Sequence, residues 1–118
     1  MDKTNLAAKL DLIQEYWKPK IVAEMNDSYV KLVKLKGEFV WHHHDREDEL
    51  FLVLKGKLRI DLPGETLRLG EGELAVIPRG AEHRPVADKE VHILLLEPKT
   101  TVNTGDVRNE KTVRAEWI

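Results

Sequence analysis

The sequence predicts an all-β fold, a sandwich or barrel of antiparallel strands that follows one short amphipathic helix. Short runs of aliphatic and β-branched residues recur along the middle of the chain, and turns rich in glycine or proline separate them. No helical pattern lies between these runs, as it would in a parallel α/β protein. The chain has 118 residues, the length of one domain, so residues 1–118 are interpreted as a single domain.

The first element is an α-helix predicted over about residues 5–17. Thr4 or Asn5 can cap its N-terminus, and Pro19 would end it. Apolar residues recur within it at spacings of three and four, at Leu6, Leu10, Ile13 and Trp17. A helix with one apolar face must pack against another apolar surface, here a face of the predicted sheet.

The barrel is predicted over about residues 21–98. Six runs have the composition of strands: residues 29–36, 38–44, 49–56, 57–62, 73–78 and 91–98. Residues 99–118 are polar and irregular, although Val113, Trp117 and Ile118 could dock on the barrel.

Composition excludes several classes of function. The net charge is −2, so no basic excess indicates nucleic-acid binding, and no apolar segment is long enough to span a membrane. The N-terminal residues lack the apolar core of a secretory signal, so we expect a cytoplasmic location. The chain has no cysteine, and any metal ion must therefore be bound through nitrogen and oxygen atoms.

Three consecutive histidines are the main candidates for a functional site. On an extended chain His42 and His44 lie on one face and His43 on the other, so the first two can chelate one ion. A turn would bring Glu49 back beside them, and His83 follows a Pro–Arg–Gly turn further along the chain. Imidazole and carboxylate groups suit zinc, iron, nickel or manganese, whereas a solvated row of histidines is the alternative.

Two ordered motifs resemble those of the cupin superfamily. The segment GEFVWHHHDREDELFLVLKG, from Gly37 to Gly56, matches the first cupin motif, and GELAVIPRGAEHRPVA, from Gly72 to Ala87, matches the second. Gly37 lies one residue closer to the histidines than the family pattern has it, and Ala87 stands where the pattern has asparagine.

This resemblance implies a double-stranded β-helix, the jelly-roll barrel of cupins, with one divalent transition metal ion inside it. The family pattern assigns the ligand positions to His42, His44, Glu49 and His83. Small single-domain cupins of this kind are often labelled as relatives of sugar-phosphate isomerases. The resemblance also implies a small-molecule pocket beside the metal.

Strand alternation makes further predictions about this pocket. Val40 would point inward with the two histidines, and Phe39 and Trp41 would point outward. Phe51 and Val53 would form an apolar wall. No general base is visible apart from the glutamate ligand. On an extended chain Arg84 would point away from the pocket; the alternative is that it meets an anionic substrate at the barrel mouth.

The function predicted from these features is that of a metalloenzyme acting on a small organic molecule, by isomerisation or by oxygen-dependent cleavage. The alternatives are a cupin that binds a small ligand without turnover, or one in which the metal has a structural role only. Outward aromatic side chains and uncovered strand edges also predict a homodimer.

Overall fold

The structure is a computed structural model that describes all 118 residues. It contains one helix and eight strands. Their bounds are α1 Leu6–Leu10, β1 Lys20–Met25, β2 Ser28–Glu38, β3 Glu49–Lys55, β4 Leu58–Leu62, β5 Glu65–Leu69, β6 Leu74–Ile77, β7 Arg84–Pro98 and β8 Glu116–Trp117. The prediction of an all-β fold with one short N-terminal helix is confirmed. No helix is long and apolar enough to cross a membrane.

The long strand β7 organises the sheet. Its first half pairs with β4 and with the end of β2, and its second half lies between β2 and β3. All of these pairings are antiparallel, whereas β8 runs parallel to β1 at one edge. Strand β6 pairs only with β3 and forms another edge, so hydrogen bonds do not close the sheet into a complete barrel.

Alternating burial along the strands separates two apolar clusters. On β3 the side chains of Phe51 and Val53 enter the main core of 12 buried residues inside the curved sheet. Leu54 and, on β7, Leu94 point to the opposite face. There they pack against an outer cluster of four buried residues, which includes Leu10 of α1. The inner cluster forms the floor beneath the histidines, and the outer cluster anchors the helix to the sheet.

The predicted helix over residues 5–17 is wrong in length, because the observed helix is Leu6–Leu10. Beyond it the chain extends along β2, and the backbone N–H of Trp17 donates to the carbonyl oxygen of Lys34 at 2.9 Å. The indole N–H of Trp17 donates to the carbonyl oxygen of Lys36 at 2.8 Å. Pairing with a strand edge therefore overrides the helical spacing of the apolar residues.

The predicted strand over residues 38–44 is also wrong, since β2 ends at Glu38 and the histidines lie in a loop. This loop is held by one isolated bridge, in which the backbone groups of His42 and His83 exchange hydrogen bonds of 3.0 and 2.9 Å. Strands β1, β5 and β8 and the first half of β7 were not among the predicted runs. The segments Glu65–Leu69 and Arg84–Glu90 contain several charged residues and lack a continuous apolar run.

The C-terminal segment is largely irregular, as expected, but it is firmly attached. The buried hydroxyl of Thr104 donates to the carbonyl oxygen of Val107 at 2.6 Å. Gly105, with a φ of +57°, lies so close to the histidine loop that an added Cβ would collide with the carbonyl oxygen of His43. Ile118 packs against the outer cluster. The tail thus packs against the loop that carries the histidines, where the backbone N–H of Asp106 donates to the carbonyl oxygen of His43.

Candidate metal centre

Four buried side chains from three segments converge at one end of the sheet. His42 and His44 come from the loop between β2 and β3, Glu49 is the first residue of β3, and His83 precedes β7. Their potential ligand atoms all lie within 4.8 Å of one another. The structure brings together all four residues that the sequence singled out, and we call them the four-residue centre.

Backbone carbonyl groups fix the tautomers of two of these histidines. Nδ1 of His42 lies 2.9 Å from the carbonyl oxygen of Val40, and Nδ1 of His83 lies 2.9 Å from that of Ala81. Because a carbonyl oxygen can only accept a hydrogen bond, both Nδ1 atoms must carry the proton. When these rings are neutral, each Nε2 carries the lone pair that a metal ligand requires. Without an ion, Nε2 of His83 contacts Oε1 of Glu49 at 3.3 Å.

His44 provides the most direct sign that the centre suits an ion. Both of its ring nitrogens are buried and neither has a hydrogen-bond partner. Its Nε2 lies 3.6 Å from Oε1 of Glu49, which is beyond hydrogen-bonding distance. A buried polar group without a partner costs about 1–3 kcal/mol, so this ring is placed for a partner that the protein itself does not supply. Three imidazoles and a carboxylate fit a divalent transition metal ion.

The electrostatics of the centre favour the protonation states that metal binding needs. Burial, reinforced by the neighbouring His83, lowers the pKa of His42 to about 4, so the ring is neutral at pH 7. Burial raises the pKa of Glu49, but interactions with the side chains of Glu97, His44 and His83 outweigh it. They hold that pKa well below its ordinary value, and Glu49 is a carboxylate.

His43 lies outside the centre, as alternation predicts. Its Nδ1 is 2.7 Å from a carboxylate oxygen of Glu82, and its Nε2 is 2.8 Å from one of Asp45. Its backbone N–H donates to Asp106 in the tail at 2.9 Å. The hydrogen bond to Glu82 is the main cause that raises the pKa of His43. This histidine therefore joins the loop to its surroundings and is already fully partnered.

A cavity of about 40 Å³ adjoins the four-residue centre. It is lined by Trp17, Pro19, Val33, Leu35, Phe39, His42, Glu49, Phe51, Pro85, Ile93, Leu95, Glu97 and Asn103. The rings of Trp17 and Phe39 stack with centroids 4.8 Å apart, and Phe39 meets His42 edge-on at 5.5 Å. Aromatic and aliphatic side chains thus surround the space beside the candidate ligands.

The prediction for the two residues before Trp41 is wrong. Phe39 is buried and lines the cavity, whereas Val40 is half-buried and does not line it. The alternation expected for a strand does not apply, because this segment is a loop that leaves β2 after a register shift. Phe51 lines the cavity as predicted, while Val53 is buried deeper in the core and does not reach it.

Sequence reasoning missed a buried ion pair beside the centre. Nζ of Lys31 lies 2.8 Å from Oε1 of Glu97, and their side chains are 4% and 1% exposed. Burial raises the pKa of Glu97 well above its ordinary value, and the neighbouring Glu49 charge raises it further. The alternation of buried and exposed positions could have revealed them. Lys31 lies on the same face of β2 as the buried Val33, and Glu97 lies on the buried face of β7.

Arg84 does not face the cavity. Its Nη2 donates to Asp61 at 2.8 Å, and its guanidinium carbon lies 5.3 Å from the centroid of the Trp41 ring. A weaker contact joins its Nη1 to Glu38 at 3.4 Å. These contacts hold the guanidinium group on the outer surface, away from the space beside the centre.

Comparison with known proteins gives a consistent picture. A family model described as "Cupin domain" matches residues 29–97. The uncharacterized protein YdbB of Bacillus subtilis (strain 168) is 41% identical over 81 residues, which cover 68% of this chain and 72% of that protein.

Two crystal structures are similar over most of the chain. A cupin-2 domain containing protein from Shewanella frigidimarina NCIMB 400 is 45% identical, with a TM-score of 0.80, over 80% of this chain and 93% of that one. Protein NMB1881 from Neisseria meningitidis is 33% identical, with a TM-score of 0.76, over 82% of this chain and 99% of that one. Residues 29–97, which the family model matches, include all four residues of the centre.

Proposed function

Since the chain belongs to the cupin domain family, we propose that it binds one divalent transition metal ion at the four-residue centre and acts on a small organic molecule there. The observation that carries the proposal is His44, a buried ring with two unpartnered nitrogens beside three other potential ligands. A bound ion would polarise an oxygen atom of that molecule, as a Lewis acid does. The two carbonyl-bonded histidines would hold their Nε2 atoms toward the ion.

The donor set accepts zinc, iron, nickel or manganese. Three imidazoles and one carboxylate complete a tetrahedral zinc site, whereas a five- or six-coordinate ion would keep one or two positions for a ligand. The chain's own role is to keep these four groups neutral or singly charged, preoriented and away from water. Burial of all four side chains supports that role.

The cavity restricts the molecule that can bind. The cavity is small, about 40 Å³, and mainly aromatic and aliphatic side chains line it. No lysine or arginine lines it, because Lys31 is bound to Glu97 and Arg84 to Asp61. We infer that the ligand is a small molecule with an apolar part that contacts Phe39 and Phe51.

The reaction would be an isomerisation or an oxygen-dependent cleavage, since both use a polarised oxygen next to a metal. A cupin that binds a small ligand without turnover is the second candidate. It is favoured by the lack of a free general base: Glu49 belongs to the centre and Glu97 is held by Lys31.

The proposal includes a homodimer. Leu74 and Val76 on the edge strand β6 are 57% and 52% exposed, and the half-buried Leu50 and Leu52 continue this apolar face on β3. A second copy of the chain would cover the face and the unpaired edge. The cytoplasmic location stays a prediction.

Elemental analysis of untagged protein tests the metal proposal. We expect about one transition metal ion per chain after incubation with zinc, nickel, manganese or iron. His44→Ala should lose the ion, while the matched control His43→Ala should keep it, because only His44 belongs to the centre. Fewer than about 0.1 ions per chain in the unmodified protein would refute the proposal.

A further inference from the structure

A groove of about 480 Å³ lies where the C-terminal residues meet strands β1 and β2. Its volume falls within the range of small-molecule pockets in proteins. Three basic residues line it, Lys31, Lys99 and Arg114, and no acidic residue does. No member of the four-residue centre lines it either, so the groove is separate from the candidate metal site.

Lys31 is the buried basic residue of the groove. Its side chain is 4% exposed, and its Nζ donates to Oε1 of Glu97 at 2.8 Å. An ammonium group has three N–H donors, and this is the one hydrogen bond that Nζ makes. Nζ also lies 5.9 Å from the centroid of the Tyr29 ring, which itself lines the groove. Since buried donors without an acceptor are costly, the remaining N–H groups are available to an acceptor that enters the groove.

The other two basic residues give the groove its excess positive charge, because Glu97 already neutralises Lys31. Nζ of Lys99 lies 5.3 Å from the centroid of the Tyr29 ring, so two ammonium groups lie near one aromatic ring. Lys99 pairs with Glu24 at 2.7 Å, but both side chains are well exposed, and ion pairs of this kind are weak. Arg114 is exposed and adds a guanidinium group. These charges favour an anionic ligand.

Two aromatic side chains form the apolar part of the groove. The rings of Tyr29 and Trp117 meet edge to face, with centroids 5.9 Å apart. Trp117 lies opposite the buried Ile21 where β8 pairs with β1, yet it is 53% exposed. A ligand with an apolar part would cover this exposed ring surface.

We propose that this groove binds a small organic anion. Its carboxylate or phosphate group accepts a hydrogen bond from Nζ of Lys31 and is attracted by Lys99 and Arg114, and its apolar part packs against Tyr29 and Trp117. The four-residue centre takes no part in this binding. The inference is therefore independent of the proposed metal site, and each can fail without the other.

Isothermal titration calorimetry of the metal-free protein tests the proposal, because the four-residue centre cannot bind an anion through an ion that has been removed. Benzoate carries a carboxylate and a ring, phenyl phosphate replaces the carboxylate by a phosphate, and benzamide is the neutral analogue. We expect at least one of the two anions to bind with a Kd of about 1 mM or below, and benzamide to bind at least about tenfold more weakly than that anion. The anion that binds more tightly identifies the group that the groove recognises.

Variants then locate the binding. Lys99→Gln with Arg114→Gln removes two exposed charges from the groove and should weaken anion binding about tenfold. The matched control is Lys57→Gln with Arg68→Gln, two exposed basic residues that do not line the groove, and it should leave the affinity unchanged. Lys31→Met with Glu97→Leu removes the buried ammonium group without leaving an unpaired charge, and it should weaken binding at least about threefold.

Three results would overturn the inference: no saturable binding of either anion up to about 10 mM, benzamide binding as tightly as the anions, or unchanged affinity in the Lys99→Gln, Arg114→Gln protein. The last result would mean that the anion binds elsewhere, for example in the cavity beside the centre. Urea denaturation checks that each variant is folded. If the Lys31→Met, Glu97→Leu protein does not fold, the two exposed substitutions and their control decide the question.

Discussion

Replacing His44 by leucine should stabilise the metal-free protein while it abolishes metal binding. Both ring nitrogens of His44 are buried without partners, and Leu fills nearly the same volume without a polar atom. Each unpartnered group costs about 1–3 kcal/mol, and imperfect packing of the new side chain would offset part of the gain. We therefore expect the free energy of unfolding of metal-free His44→Leu to rise by about 1–2 kcal/mol.

With excess zinc the unmodified protein should be more stable than His44→Leu. A ligand present at about 100 times its dissociation constant stabilises the protein that binds it by about 2.7 kcal/mol. Urea denaturation of both proteins, with a chelator and with excess zinc, measures the two differences.

His92→Leu is the matched control, because His92 is bonded to Glu90 at 2.7 Å and should show neither gain nor reversal. A metal-free His44→Leu protein that is destabilised by more than about 1 kcal/mol would refute the reasoning, since it would mean that the imidazole is already satisfied.

Three further predictions follow from other parts of the molecule. The hydrogen bond from Tyr16 lowers the pKa of Glu90 to about 2, so Glu90 stabilises the fold above pH 4.5, and this stabilisation is lost as the pH falls toward 2. The loss should not exceed about 1 kcal/mol because the group is exposed, and Glu90→Gln should remove it from the pH profile of urea denaturation; an unchanged profile would contradict this. Gly105→Ala should destabilise the protein by about 2 kcal/mol or more, since its Cβ would collide with the carbonyl oxygen of His43; a change below about 0.5 kcal/mol in urea denaturation would show that the tail can move away. Leu74→Lys should convert the proposed dimer into a 13.6 kDa monomer in light scattering, and a dimer that persists would place the interface elsewhere.

The residues of the centre could be predicted because the prediction depended on side-chain alternation and motif spacing, which are properties of short segments of the chain. Alternation along any extended chain separates His43 from His42 and His44, whether or not that chain belongs to a sheet. The motif spacing then identified Glu49 and His83 as the remaining members, and the structure brings all four side chains together.

Features that depend on tertiary pairing were not predictable in the same way. Trp17 has helical spacing, but its indole and backbone N–H groups pair with β2. Phe39 lies beyond a register shift in β2. The inward and outward directions counted back from the histidines are therefore wrong at this residue. Lys31 and Glu97 were visible as charged residues in apolar runs, but only the pairing of β2 with β7 shows that they meet.

The curvature of β7 has a consequence for the centre. His83 immediately precedes β7 and Glu97 is its second-last residue, and 14 residues of straight strand would separate them by about 46 Å. Both nevertheless come close to Glu49: Nε2 of His83 lies 3.3 Å from its Oε1, and Glu97 lines the same cavity as Glu49. The strand must therefore curve strongly, so that β7 and the Glu49 carboxylate together form a closed ring. A single-residue insertion or deletion anywhere along Arg84–Pro98 would open that ring and disturb the centre from a distance, even where it leaves every candidate ligand in the sequence.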